Sequence, residues 1–194
     1  MKVENIILKY IKDGNRVMEI GCGNGNIINM LSSNSVKLDK IVAIDRLRPK
    51  NINKNVEFFE GDIENFQTKE KFDLVILKHV LEHIKDPIGL LEKIKQMLND
   101  YGKILIVVPN RYGYENEAKV YLPEHGKHYF LWDRESLQFT LEKLSFACRF
   151  HNQFVELDNN IFIRILPKLF RVQNSEIVCV AMVGKQKIDN EKQI

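Results

Sequence analysis

Five short apolar runs set the narrowest bound on how this chain can fold: RVMEI (16–20), KIVAID (40–45), VEFFEGD (56–62), FDLVIL (72–77) and GKILIVVP (102–109). Each is rich in branched or aromatic residues, as strands covered on both faces are. Segments with helical spacing lie between several of them. Ile27, Ile28 and Leu31 follow the first run, and "DPIGLLEKIKQML" separates the fourth from the fifth. In the latter, Asp86 is placed to cap a helix, Pro87 suits its first position, and Ile88, Leu91, Ile94, Lys95 and Leu98 track one face. Strands alternating with helices point to an α/β fold with a largely parallel sheet between two helical layers.

The flanks extend this pattern. Val3, Ile6, Ile7, Tyr10 and Ile11 recur at helical spacing until Asp13-Gly14, giving an opening helix within 1–13. Residues 133–144 read as another helix, 146–155 as a strand and 176–185 as a final strand. The connection "RLRPKNINKN" (46–55) carries a proline and three asparagines, so a helix there is short or absent. The expected organisation is one domain over 1–185, with a polar tail over 186–194.

Composition excludes several classes. A chain of 194 residues can bury a sizeable single core, and 29 basic against 26 acidic residues along it call for no phosphate-tracking surface. Nucleic acid is not an expected partner. Cys22, Cys148 and Cys179 are odd in number and far apart, which fits neither a disulfide framework nor a CxxC zinc site and points to a reducing compartment. No apolar stretch reaches the roughly 18 residues of a membrane span. The basic, amphipathic "IFIRILPKLFR" (161–171) is read as core packing rather than a membrane contact. These readings together make a cytoplasmic protein the expectation.

The first run ends in "GCGNG". A glycine loop between a buried strand and a helix lets backbone N–H groups approach a ligand that a Cβ would block. The spacing is G-x-G-x-G at Gly21, Gly23 and Gly25, whereas the dinucleotide fingerprint places its third small residue where Asn26 stands. A nicotinamide-dependent oxidoreductase is therefore the weaker reading. Asp45, ending the second run, is positioned to accept hydrogen bonds from both ribose hydroxyls.

Glu19 before the glycines, Asp62 in "EGDIENF" and "FDLVILKHVLEHIKDP" after the fourth run complete a pattern. With it the sequence resembles the class I S-adenosylmethionine-dependent methyltransferases, in their small-molecule group with the ubiquinone and menaquinone biosynthesis enzymes. The likeness runs from Arg16 to Pro109 in order and spacing, and more loosely through "HYFLWDRESLQFTLEKLSF". It implies a Rossmann-like, doubly wound sheet of seven strands with the last inserted antiparallel. It also implies S-adenosylmethionine as methyl donor and S-adenosylhomocysteine as product. On this resemblance Glu19 orients the methionine ammonium, Gly21 and Gly23 admit the cofactor, and Asp45 holds the ribose. Asp62 accepts from the adenine amino group, Ile63 packs on its ring, and the Lys78 backbone lies beside the methionine end. Cys22, Arg46 and Gly61 complete the expected lining.

"HVLEH" has a rival reading, because His79-x-x-Glu82-His83 matches the H-x-x-E-H pattern of inverted zincins, with both imidazoles on one helical face. That chemistry needs a further carboxylate on a separate helix and a larger fold, so no metal is expected. His79, His83 and His128 are instead candidate bases for an acceptor that must lose a proton, since imidazole titrates near neutral pH. His125, in "EHGKH", is expected to be exposed or substrate-facing. The fourth-run loop lacks the N/D-P-P-Y/F tetrapeptide of enzymes that methylate amide or adenine amino groups, and no cysteine pair suits pyrimidine methylation. A small-molecule acceptor is the expectation, with residues 110–130 as a lid. A cofactor-binding partner or regulatory protein without catalysis is the remaining alternative.

Overall fold

A computed structural model describes residues 2–113, 128–151 and 176–183. The described elements run α1 (Val3–Leu8), β1 (Arg16–Ile20), α2 (Asn26–Ser32), β2 (Lys40–Asp45), β3 (Glu57–Glu60), β4 (Phe72–Lys78), α3 (Pro87–Met97), β5 (Leu98–Pro109), α4 (Arg134–Lys143), β6 (Phe146–His151) and β7 (Glu176–Val183). They form a seven-stranded sheet in the order β3-β2-β1-β4-β5-β7-β6. The first five strands in chain order run parallel, and β7 lies antiparallel between β5 and β6. The α/β, Rossmann-like expectation with its inserted antiparallel strand is borne out.

Side-chain alternation in the central strands explains why both faces are covered. Met18, Ile20, Val75, Leu77, Ile104, Ile106 and Val108 point into one apolar layer with α3 and α4. Val17, Leu74, Ile76, Leu105 and Val107 point into the opposite layer with α1 and α2. Since successive residues of a strand face opposite ways, a run that is apolar throughout must be sandwiched.

Local chemistry sets several boundaries. Asp86 Oδ1 accepts from the Gly89 N–H at 2.9 Å, with Pro87 at the first helical position of α3. Asp133 and Ser136 form a reciprocal capping box on α4. β5 starts before the expected Gly102, because Leu98 already pairs with Phe72 across a register shift. Gly102 is needed there: a Cβ would lie 2.8 Å from the Phe72 carbonyl oxygen. The polar 46–55 connection contains no helix, and β3 is shorter than the apolar run that encodes it. The extension of β6 expected to 155, the segment 161–171, His125 and the 186–194 tail lie outside the described residues, as does most of the expected lid.

Among the described residues, no helix is long and apolar enough to cross a membrane. The chain reverses its direction of sheet growth between β1 and β4, and such a switch point opens a crevice at the C-terminal strand ends. Asp86→Ala is expected to cost about 1 kcal/mol through loss of the α3 cap. It should lower the urea midpoint without changing the slope of the transition.

Candidate functional site

Glu19 is the penultimate residue of β1 and is 2% exposed, with Oε2 buried and lacking a hydrogen-bond partner. Burial pushes its carboxyl up to about 8; the Ile28 backbone N–H and the Lys78 charge pull in the opposite direction. A carboxyl so placed is poised for a cationic partner.

The chain leaves β1 through a loop fastened to β2, with the Gly21 and Cys22 N–H groups donating to the Ile44 carbonyl at 2.7 and 3.3 Å. Gly21 has φ +71°, and the side chain of Val80 occupies the space a Cβ would need. Gly23 has φ +53°, and its Cβ direction meets no atom within 4 Å, so bare backbone faces an opening. Its N–H donates to Asp45 Oδ2 at 2.7 Å. Asp45 thus stands across the glycine loop at the end of β2, and its carbonyl accepts from the Gly61 N–H at 2.8 Å. Next along this rim, Asp62 Oδ1 accepts from Arg46 Nε at 2.8 Å in an exposed ion pair.

Two expected lining residues behave differently from their neighbours. Cys22 is buried with α1 and α2, its thiol pushed up to about 12 by burial and by Glu19, so only its backbone is presented to the loop. Ile63 is buried in the opposite core layer. Lys78 is the last residue of β4, and its charge acts directly on Glu19.

Beyond β4 the structure corrects the helical reading of "HVLEH". Only Leu81–His83 forms a short 3-10 turn, and His79 precedes it in a left-handed conformation, φ +55°. The two imidazoles therefore do not share a helical face. His79 Nε2 lies 2.7 Å from Glu176 Oε1 at the start of β7, and Nδ1 lies 3.5 Å from Glu82 Oε1. These carboxylates, Glu176 foremost, raise the His79 pKa to about 9. His79 is an imidazolium at neutral pH, unsuited to take a proton. His83 and His128 instead face each other edge-on, ring centroids 4.6 Å apart. The Tyr129 and Phe130 N–H groups donate to the Glu82 carbonyl at 2.8 and 3.3 Å, docking the His128 segment on the turn. Glu82 and Glu176 were missed as site residues because their roles arise from pairings across the fold. The apolar neighbours of Glu82 gave the only local signal.

A cavity of about 660 Å³ lined by Lys9, Lys12, Lys71, Asp73 and Lys103 lies at the other end of the sheet, by the strand N-termini. The crevice at the C-terminal ends carries the glycine loop and its acids, and it is at such ends that open α/β sheets bind ligands.

A family profile described as a methyltransferase domain matches residues 3–149. The chain belongs to the methyltransferase-domain family. Its class I S-adenosylmethionine-dependent assignment, implied by the residues, is borne out by this match and by similar proteins. A ubiquinone biosynthesis O-methyltransferase from Glaesserella parasuis is 28% identical over 137 residues, covering 59% of this chain and 54% of that protein. A malonyl-[acyl-carrier protein] O-methyltransferase from Calditerrivibrio nitroreducens is 25% identical over 138 residues, covering 71% and 54%. The chain thus spans about half the length of these curated relatives. In fold it is similar to the plantazolicin methyltransferase BpumL solved with S-adenosylhomocysteine, with TM-score 0.67, 17% identity and coverage of 94% and 80%. It is also similar to a putative methyltransferase solved with the Haloferax volcanii Trm112 activator, with TM-score 0.69, 12% identity and coverage of 91% and 85%.

The methyltransferase domain's residues fit the family's cofactor: Glu19 offers an unsatisfied carboxyl oxygen for an ammonium, Gly23 an open cradle and Asp45 a carboxylate beside it. Cofactor binding should therefore be coupled to a proton. With an apo pKa of about 8, Glu19 is mostly protonated at pH 7, while an ammonium partner favours its carboxylate. Calorimetry in buffers of different ionisation enthalpy should show proton release on binding S-adenosylhomocysteine at pH 7, with affinity rising towards pH 8. Glu19→Gln should abolish the pH dependence and weaken binding roughly 10- to 100-fold, the ~1.5–3 kcal/mol of a hydrogen bond to a charged group.

Proposed function

We propose that this chain transfers a methyl group from S-adenosylmethionine to a small-molecule acceptor. The observation that carries the reading is the buried, unsatisfied Glu19 oxygen beside the open Gly23 backbone, with Asp45 completing a clasp for an adenosine-linked amino acid. When bound, the cofactor supplies a methyl already activated on sulfonium; as the acceptor lone pair forms the new bond, the carbon–sulfur pair stays on sulfur.

The chain's task is then placement. Glu19 fixes the ammonium, Gly23 admits the cofactor against backbone while Gly21 makes room for Val80, and Asp45 and Asp62 take the ribose and adenine ends. Holding two reactants in attack geometry can contribute on the order of 7–11 kcal/mol, against roughly 10²- to 10⁴-fold from a general base. The Leu81–His83 turn stands at the end of β4, the strand beside β1. His83 and His128 are the groups that handle the acceptor, while His79 braces them as a cation between two carboxylates. The near-balanced charge and the lack of an N/D-P-P-Y/F loop support a small acceptor over a nucleic acid.

The test is incubation with methyl-labelled S-adenosylmethionine and fractionated metabolite extracts. Label should enter one small-molecule fraction with matching S-adenosylhomocysteine release. Label confined to macromolecules, or a chain that binds S-adenosylhomocysteine and labels nothing, contradicts the reading. His83→Ala should lower turnover about 10²- to 10⁴-fold with unchanged cofactor affinity.

A further inference from the structure

The carboxylate of Glu82 has no assigned task in the transfer described above. It is 1% exposed, and neither oxygen has a hydrogen-bond partner. Its ion-pair neighbours are His79 Nδ1 at 3.5 Å and His83 Nε2 at 4.0 Å. The protonated His79 faces Oε1 alone, and a buried carboxylate is costly unless both oxygens are completed. His128 reaches the same place, because the segment following it is hydrogen-bonded to the Glu82 carbonyl. One ligand atom from each of Glu82, His83 and His128 lies within 4.8 Å of the others.

We propose that Glu82, His83 and His128 hold a first-row divalent transition ion, of the Zn²⁺ type, which binds and acidifies a hydroxyl group of the methyl acceptor. This rests on the methyl-transfer reading and narrows it to an oxygen acceptor. It also revises the expectation of no metal: the folded site replaces His79 of the H-x-x-E-H pattern with His128, from a separate segment.

Two imidazole nitrogens and one carboxylate oxygen form a donor set suited to zinc or non-haem iron, whereas Mg²⁺ and Ca²⁺ favour oxygen. Three protein ligands leave a coordination position open for an exogenous oxygen. Ligand atoms on one tetrahedral ion, with bonds of roughly 2.1 Å, stand about 3.4 Å apart. The cluster, within 4.8 Å, therefore has to close by up to about 1.4 Å, a movement the proposal assigns to rotation of the two partly exposed imidazoles. The supporting partners are also in place. His79 contacts the Glu82 carboxylate and is itself fixed by Glu176, the kind of outer partner that orients a ligating carboxylate. A hydroxyl bound to a dication ionises far more easily, as bound water does when its pKa falls from about 15.7 to about 7–9. The hydroxyl proton goes to solvent, and the acceptor oxygen keeps the electron pair for attack.

The full chain, without a histidine tag and stripped with chelator, is titrated with Zn²⁺ by calorimetry and with Co²⁺ by visible absorption. One ion per chain is expected, with Co²⁺ absorption showing mixed nitrogen and oxygen ligation. His83→Ala, His128→Ala and the milder His128→Gln should each weaken binding by at least the roughly 10- to 100-fold that loss of a supporting partner costs. Affinity for S-adenosylhomocysteine should persist in all three, reporting a folded chain. Absence of stoichiometric binding, or affinity unchanged in a folded His83→Ala/His128→Ala double variant, overturns the site. Methyl transfer lost on chelation and restored by Zn²⁺ supports the assigned role, and transfer undiminished in metal-free protein overturns it. Metal binding without transfer to any acceptor leaves the ion site standing and sinks the methyl-transfer reading, so the two failures are distinguishable.

Discussion

A carboxyl group buried at the end of β1 is the constraint on which the functional account turns. Glu19 occupies a position whose neighbours along the strand are fully apolar, and burial holds its pKa near 8. Taking a carboxylate out of water is unfavourable unless a cation meets it. The surrounding geometry provides an entrance for one: a glycine loop hydrogen-bonded to β2 leaves Gly23 backbone facing open space, and Asp45 closes the far side. The sheet topology makes this possible, since the switch between β1 and β4 separates the loops that follow those strands.

On the other side of that crevice, charge pairing links elements distant in the chain. Glu176 at the start of β7, His79 after β4 and Glu82 in the following turn form a row in which a protonated imidazole sits between two carboxylates. Left-handed backbone at His79 turns the chain at the strand end, and Leu81, fully buried, anchors the turn in the core. The antiparallel insertion of β7 next to β5 brings Glu176 opposite Pro109 and so to the C-terminal end of the sheet. Without that topology His79 would lose its nearer carboxylate partner.

Much of this was legible in the residues because it rests on local chemistry. Apolar runs gave the central strands, Asp86-Pro87 gave the start of α3, and the ordered glycines and acids gave the family. What escaped reading depends on tertiary placement. "HVLEH" has helical spacing on paper, but the left-handed His79 breaks it, a fact encoded by the β5 carbonyl of Val107 that receives the His79 N–H at 2.9 Å. Glu82, among Val80, Leu81 and Ile84, reads as the middle of an H-x-x-E-H pattern, and only the fold shows that its carboxylate is buried. Ile63 and Cys22 sit in loops that suit a ligand, yet their side chains turn into opposite core layers. Sequence order places a residue in a loop; packing decides which of its atoms face the crevice.

The most direct measurement is a crystal structure of the chain with S-adenosylhomocysteine. The account requires the ligand ammonium within hydrogen-bonding distance of Glu19 and both ribose hydroxyls on Asp45. A ligand seated elsewhere, such as the lysine-lined cavity at the strand N-termini, or one leaving the Glu19 carboxyl without a partner, would contradict it.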